Sequence, residues 1–205
     1  MRLVVGMSGS SGAIYGIRLL EVLHETPGIE VQLVMSPAAK QTIALETDRQ
    51  PTEIESLADV LYRHGDIAAA ISSGSYPVDA MIVVPCSVRS ASAIALSLDD
   101  NLLVRAADVT LKERRRLVLA VRESPLHLGH LRTLTQLAEM GAVVAPLMPG
   151  FYGRPETIED LVDHTVGRLL DLVGVAPPDG LVRRWQGARP PVGVEEGLEQ
   201  RDSAE

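Results

Sequence analysis

Ser8-Gly9-Ser10-Ser11-Gly12 places hydroxyls and small side chains directly after an apolar run, where a ligand can approach the backbone. If a helix starts at its end, the free amides there favour an anion. A tight strand-to-helix turn explains the same residues. Neither G-x-G-x-x-G nor G-x-x-x-x-G-K-[ST] occurs, and Ser11 lacks the G-x-S-x-G setting of a hydrolase nucleophile. A second such turn, Pro85-Cys86-Ser87-Val88-Arg89-Ser90, offers two hydroxyls suited to a phosphate or a planar heterocycle. It also suits a helix N-cap at Ser87 or Ser90. Arg122-Glu123 closes the run Leu117–Val121 and supplies a carboxylate for acid–base work. A structural ion pair with a neighbouring arginine is the plainer role. Arg105 and Lys112, seven apart, project from one side of a helix. The stretch Lys112-Glu113-Arg114-Arg115-Arg116 is strongly basic within a chain of 19 Lys+Arg against 27 Asp+Glu, net -8. It reads as charge matched to a helix C-terminus or as a local anion site. Tyr152 follows a Pro-Gly turn. Arg168 lies on the polar side of the stripe Leu161, Val162, Val166, Leu169, Leu170, where a solvated arginine is the default.

Several chemistries are excluded. One cysteine, Cys86, forms no intramolecular disulfide framework and no multi-cysteine metal site. His127 and His130 are spaced i, i+3 without H-E-x-x-H or a third ligand, so packing or hydrogen bonding is favoured over zinc. An acidic chain with 3% aromatic residues lacks both the charge and the stacking surfaces of a nucleic-acid binder. No apolar run reaches about 18 residues, so no membrane span is expected. The first twelve residues are too short for a signal-peptide core, which makes a reduced cytoplasmic setting the default.

The elements that must position these residues are legible as alternation. Leu3–Met7, Glu30–Met35, Ala80–Val84, Leu117–Val121 and Ala142–Pro146 are short and apolar, the pattern of strands buried on both faces. Between them lie helical patterns. The first carries Ile14, Ile17, Leu19, Leu20 and Leu23 on one face. The second runs from Pro37, capped by Ser36, to the neighbourhood of Glu46. Others cover Ser90–Leu98, Leu102–Glu113, Pro125–Met140 and Thr157–Val173. Residues 49–75 suggest one or two short helices and a loop. The alternation predicts a single α/β domain over 1–185, a doubly wound parallel sheet in a flavodoxin- or Rossmann-like three-layer sandwich. Residues 186–205, acidic and aperiodic, read as a mobile tail. Ligands of such sheets bind beyond the carboxyl ends of the strands. Ser8–Gly12, Ser36, Cys86–Ser90, Arg122-Glu123 and Tyr152 all fall there.

MSGSSGAIYGIRLLE (7–21), PCSVRSASAIA (85–95), NLLVRAADVTLKERRRLVLAVRESPLHLGHL (101–131), AEMGAVVAP (138–146) and GFY (150–152) together resemble the UbiX-type flavin prenyltransferases. The resemblance spans about residues 2–185. It implies a flavodoxin-like subunit, usually a homododecamer, that joins the dimethylallyl group of dimethylallyl phosphate to N5 and C6 of reduced FMN. The prenylated FMN would then serve a UbiD-type decarboxylase. Carried over, Gly9, Ser10, Ser11, Ser36, the turn Ser87-Val88-Arg89-Ser90, Arg105 and Arg122 would hold FMN. Ser11, Glu46 and Glu123 match catalytic positions, with Glu123 the proton-transfer carboxylate. Lys112, Arg122, Tyr152, Arg168 and Trp185 match the donor site. No metal is implied: Asp99-Asp100 is followed by Asn101-Leu102-Leu103, which breaks the D-D-x-x-D motif of Mg²⁺-dependent diphosphate enzymes, so a monophosphate gripped by Lys and Arg fits better. Two rival readings remain. A flavin-dependent cysteine decarboxylase would carry a PASANT-like segment where this chain has PCSVRS, and a non-catalytic FMN carrier would not need Glu123, Lys112, Tyr152 and Arg168.

Overall fold

The structure, a computed structural model, describes residues 1–185 and 187. The expected tail, 186–205, falls almost entirely outside the described residues. Six parallel strands form one sheet: β1 (Arg2–Met7), β2 (Glu30–Met35), β3 (Val60–Tyr62), β4 (Ala80–Cys86), β5 (Arg116–Val121) and β6 (Val143–Val144). Their order is β3-β2-β1-β4-β5-β6. The chain therefore winds outward from β1 in one direction and from β4 in the other, and the switch point lies between them.

Alternate strand residues feed two cores. Leu3, Val5, Met7, Ile82, Val84, Val118 and Ala120 face α1 (Ala13–His24), α2 (Pro37–Glu46) and α7 (Ile158–Leu172). Val4, Val34, Met81, Val83, Leu117, Leu119 and Val121 face α4 (Val88–Ala95), α5 (Leu102–Lys112) and α6 (Leu128–Glu139). Both faces of the sheet are thus covered, which explains strands that are apolar without alternation. Cys86 is 0% exposed, and burial pushes its thiol up to about 12, so it acts as a small core residue and not a nucleophile.

Several boundaries differ from the sequence expectation. Residues 49–75 contain a short helix α3 (Pro51–Glu55) and also β3, a three-residue edge strand too short to leave a periodic signal. Helix α4 starts at Val88, because Ser87 is its N-cap and its hydroxyl accepts from the Ser90 amide. Helix α6 starts at Leu128 and not at Pro125; the cap is His127, whose ring nitrogen accepts from the Gly129 and His130 amides. That bond gives His127 the hydrogen-bonding role expected of it. Ile14 is 38% exposed and does not belong to the buried face of α1, which runs through Ala13, Gly16, Ile17, Leu20 and Leu23.

Candidate active site

The carboxyl ends of β1, β2, β4 and β5 are laced together by loop backbone. Ser8 donates its amide and its hydroxyl to the Pro85 carbonyl, at 3.1 and 2.9 Å, and its hydroxyl accepts from the Ser87 amide at 2.7 Å. The Ser36 amide reaches the Met7 carbonyl at 2.9 Å, and the Arg122 amide the Cys86 carbonyl at 3.0 Å. Sequence reasoning passed over Ser8 in favour of its neighbours. Its role depends on burial, 2% exposed, which its residue type does not announce.

A cavity of about 780 Å³ opens against these ends. Gly9, Ser36, Ser87, Arg89 and Ser90, predicted site residues, line it together with His64, which was not predicted. Partial burial lowers the His64 pKa, with Arg89 adding to the effect and Asp100 opposing it. Only tertiary packing brings His64 here, from a segment without periodicity. The N-termini of α2, α4 and α5 all point into this end, capped by Ser36, Ser87 and Asn101. Gly9 is confined: a Cβ there would lie 2.3 Å from Ala38 Cβ, so the loop packs directly on α2. Ser10 Oγ is buried with no hydrogen-bond partner. Ser10 itself does not line the cavity; the hydroxyls that do are those of Ser8, Ser36, Ser87, Ser90 and Ser92.

The start of α1 is different. Its free amides do not await an anion, because Glu46 already supplies one. Glu46 Oε2 accepts from the Gly12 and Ala13 amides, at 2.9 Å each, and the carboxylate also takes the Ser11 hydroxyl. Partial burial alone would push this carboxyl up. The Ser11 hydroxyl, the two amides and the nearby Arg122 charge outweigh it and hold the carboxyl below its ordinary value. Ser11, Glu46 and Arg122 are thereby brought together. A carboxylate held low stabilises the fold above the ordinary Glu range, and this contribution is lost as pH falls through the lowered value. Glu46→Gln should therefore melt below wild type at neutral pH, and the gap should narrow below about pH 4. Melting temperatures of both proteins across that range check this; a gap independent of pH would mean the charge contributes nothing to the contact.

Glu123 follows β5, and its only hydrogen bond among the described residues is to the next amide, Ser124, at 3.1 Å. Tyr152, Arg168 and Trp185 gather around α7. Tyr152 Oη lies 3.0 Å from His164 Nε2, and the Trp185 ring meets Tyr152 edge-on at 6.1 Å. Arg168 is 50% exposed on its side chain and pairs with Asp171, which also holds Arg184. An ion pair of 2.6 Å between Arg18 and Asp163 ties α7 to α1.

Two predicted residues do not join this group. Arg105 donates to the Ser72 carbonyl and pairs with Asp99 at 2.8 Å and Asp108 at 3.2 Å. It pins the loop before α5, and its side chain hydrogen-bonds to none of the residues that line the cavity. Lys112 closes α5 and pairs with Glu113. Helix α5 runs antiparallel to the strands, so Lys112 lies about 15 Å along the axis from its cavity-facing start, at the other end of the sheet. The two do project from one side, as their spacing predicts, but toward the segment 70–74. Elsewhere in the basic stretch, Arg115 donates to the Tyr76 and Gly74 carbonyls and Arg116 to the Leu172 carbonyl.

A doubly wound sheet with a cavity framed by capped helix N-termini at its switch point is a flavodoxin-like architecture, and the class is that of the flavoproteins. The Flavoprotein family model matches residues 1–170. Within that class the chain belongs to the UbiX family of flavin prenyltransferases. It is 56% identical over 187 residues to Flavin prenyltransferase UbiX of Escherichia coli K12, covering 91% of this chain and 99% of that one. The Archaeoglobus fulgidus relative of the same name is 52% identical over 185 residues, 90% of this chain and 100% of the relative. Among solved structures, AnUbiX (PadA1) in complex with FMN and dimethylallyl pyrophosphate superposes with a TM-score of 0.87 at 46% identity, covering 92% of this chain and 98% of that chain. A dodecameric FMN-dependent UbiX-like decarboxylase from Escherichia coli O157:H7 gives 0.88 at 48%, covering 91% and 100%. An FMN-dependent cysteine decarboxylase, TvaF, gives 0.57 at 18%, covering 71% and 89%, a likeness of fold alone. Among the described residues no helix is long and apolar enough to cross a membrane.

Proposed function

We propose that this chain holds FMN across the β1–β4 switch point and transfers a dimethylallyl group to it from a phosphate donor. The observation that supports the cofactor assignment is the cavity of about 780 Å³ that Gly9, Ser36, Ser87, Arg89 and Ser90 line at the starts of α2 and α4. Gly9, Ser10, Ser36, the turn Ser87–Ser90 and Arg122 would hold FMN. Reduced FMN, when bound, supplies the electron-rich ring that accepts the allyl group. The phosphate would fall at the N-termini of α2 and α4, since Glu46 fills that of α1. Arg122, Tyr152 and Arg168 would grip the donor phosphate and stabilise it as its bond to carbon breaks. Glu123 Oε would take the proton that the acceptor ring gives up. Trp185 would wall the allyl group off from water. Lys112 belongs to this set only across a subunit boundary, so we read the working form as a homo-oligomer in which one copy completes another's site. The cytoplasm is the setting we assign, and a UbiD-type decarboxylase the consumer of the product.

The test is anaerobic incubation with reduced FMN and dimethylallyl monophosphate or diphosphate, followed by mass analysis of the flavin. Prenylated flavin should form with the monophosphate, and undiminished in excess chelator. Tight FMN binding without alkylation would favour the carrier reading; activity with the diphosphate alone, lost on chelation and restored by Mg²⁺, would overturn the metal-free grip.

A further inference from the structure

We propose that His164 is a positioning residue for the prenyl donor: its Nε2 donates to the Tyr152 phenol oxygen and turns the phenol's own proton toward the donor phosphate. The inference rests on the reading above that Tyr152 touches that phosphate.

His164 stands on α7 one turn before Arg168, with Nε2 at 3.0 Å from Tyr152 Oη. The two rings meet edge to face, centroids 5.2 Å apart at 83°. Trp185 packs on Tyr152 from another direction, at 78°. Gly150 backs onto the pair: a Cβ there would come within 3.2 Å of Tyr152 Cε1 and 3.7 Å of His164 Nε2. The half-exposed phenol ring is thus flanked by His164 and Trp185, and its hydroxyl has one protein partner among the described residues.

A phenol carries one proton and two lone pairs, whereas a phosphate dianion only accepts. A Tyr152 proton aimed at His164 is unavailable to the phosphate. The direction reverses when His164 carries its proton on Nε2. Burial, aided by Arg168, lowers the His164 pKa, so the ring is neutral and can present either tautomer. No hydrogen bond among the described residues fixes Nδ1, so the Tyr152 contact itself selects the tautomer. A donor phosphate beside Tyr152 favours the chain His164 Nε2–H to Tyr152 Oη–H to phosphate oxygen, and successive bonds of that kind polarise one another.

The experiment is a double-mutant cycle in anaerobic steady-state turnover, with reduced FMN saturating and dimethylallyl phosphate varied. His164→Phe keeps a ring against Tyr152 and removes the donor. It should raise the donor KM about 3- to 10-fold, with kcat and FMN affinity unchanged. His164→Gln, whose amide can donate, should restore the KM to within about twofold of wild type. In a Tyr152→Phe background, His164→Phe should add nothing. A wild-type KM in His164→Phe, a failed rescue by Gln, or an equal effect in both backgrounds would overturn the role of His164 while leaving Tyr152 at the donor. A wild-type KM in Tyr152→Phe would instead remove Tyr152 from the donor site, and the inference with it.

Discussion

Glu123→Gln is expected to fold and bind FMN as wild type does, and to form prenylated flavin about 10²–10⁴-fold more slowly, the usual contribution of a positioned acid or base. The geometry makes this a clean substitution. Glu123 follows a strand whose end is held by the Arg122 amide on the Cys86 carbonyl, so its backbone does not depend on its side chain. Its one hydrogen bond accepts from the adjacent Ser124 amide, which a glutamine carbonyl can also accept. No arginine or lysine among the described residues pairs with it, so the ion-pair role that sequence left open gains no support. Glutamine keeps the volume and loses only the capacity to take a proton. Single-turnover kinetics under anaerobic conditions, with the flavin identified by mass, decide the matter. A variant as fast as wild type would remove Glu123 from the chemistry.

Lys112→Ala should raise the donor KM tenfold or more, since a charge-assisted contact is worth about 1.5–3 kcal/mol. Its position adds a second and sharper expectation. Lys112 and Glu123 lie at opposite ends of one sheet, so a site that uses both must draw them from two copies. Oligomers reassembled from equal amounts of Lys112→Ala and Glu123→Gln chains should therefore turn over limiting donor faster than the sum of the two parent variants. Some sites would combine the intact Glu123 of one chain with the intact Lys112 of another. Activity no greater than the sum of the two parents would confine Lys112 to its own chain. An unchanged KM in Lys112→Ala would return it to its pairing with Glu113.

The contrast between Glu123 and Lys112 marks what sequence can reveal. The doubly wound sheet is legible because five of its strands are short runs, apolar but for Glu30 and Gln32 in β2, that alternate with helical patterns. That pattern places a residue at the ligand end of a strand, and Ser36, Ser87 and Glu123 follow from it. It does not say which end of a helix a basic residue reaches, nor which loop covers it, and so Lys112 and Arg105 were read toward the site. Helix direction puts Lys112 at the far end of α5 within one chain, and the Arg105 side chain has three oxygen partners of its own. Glu46 shows a third case. Its carboxylate meets the start of α1 from 33 and 34 residues away in sequence, a contact with no local signature. Strand β3 was missed for a different reason: three residues at a sheet edge are too few for any period to register.

The solitary cysteine has a practical consequence. Cys86 sits in β4, between β1 and β5, with no exposed surface and a thiol that stays protonated in neutral buffer. A thiol-reactive dye can reach it only when the centre of the sheet comes apart. The rate of dye uptake by the unaltered protein therefore clocks that opening, with and without FMN, and the slowing by FMN reads out how firmly the cofactor clamps the strand ends. The same silence leaves a clean background, so a cysteine placed on the surface for a spectroscopic label will be the only one that reacts.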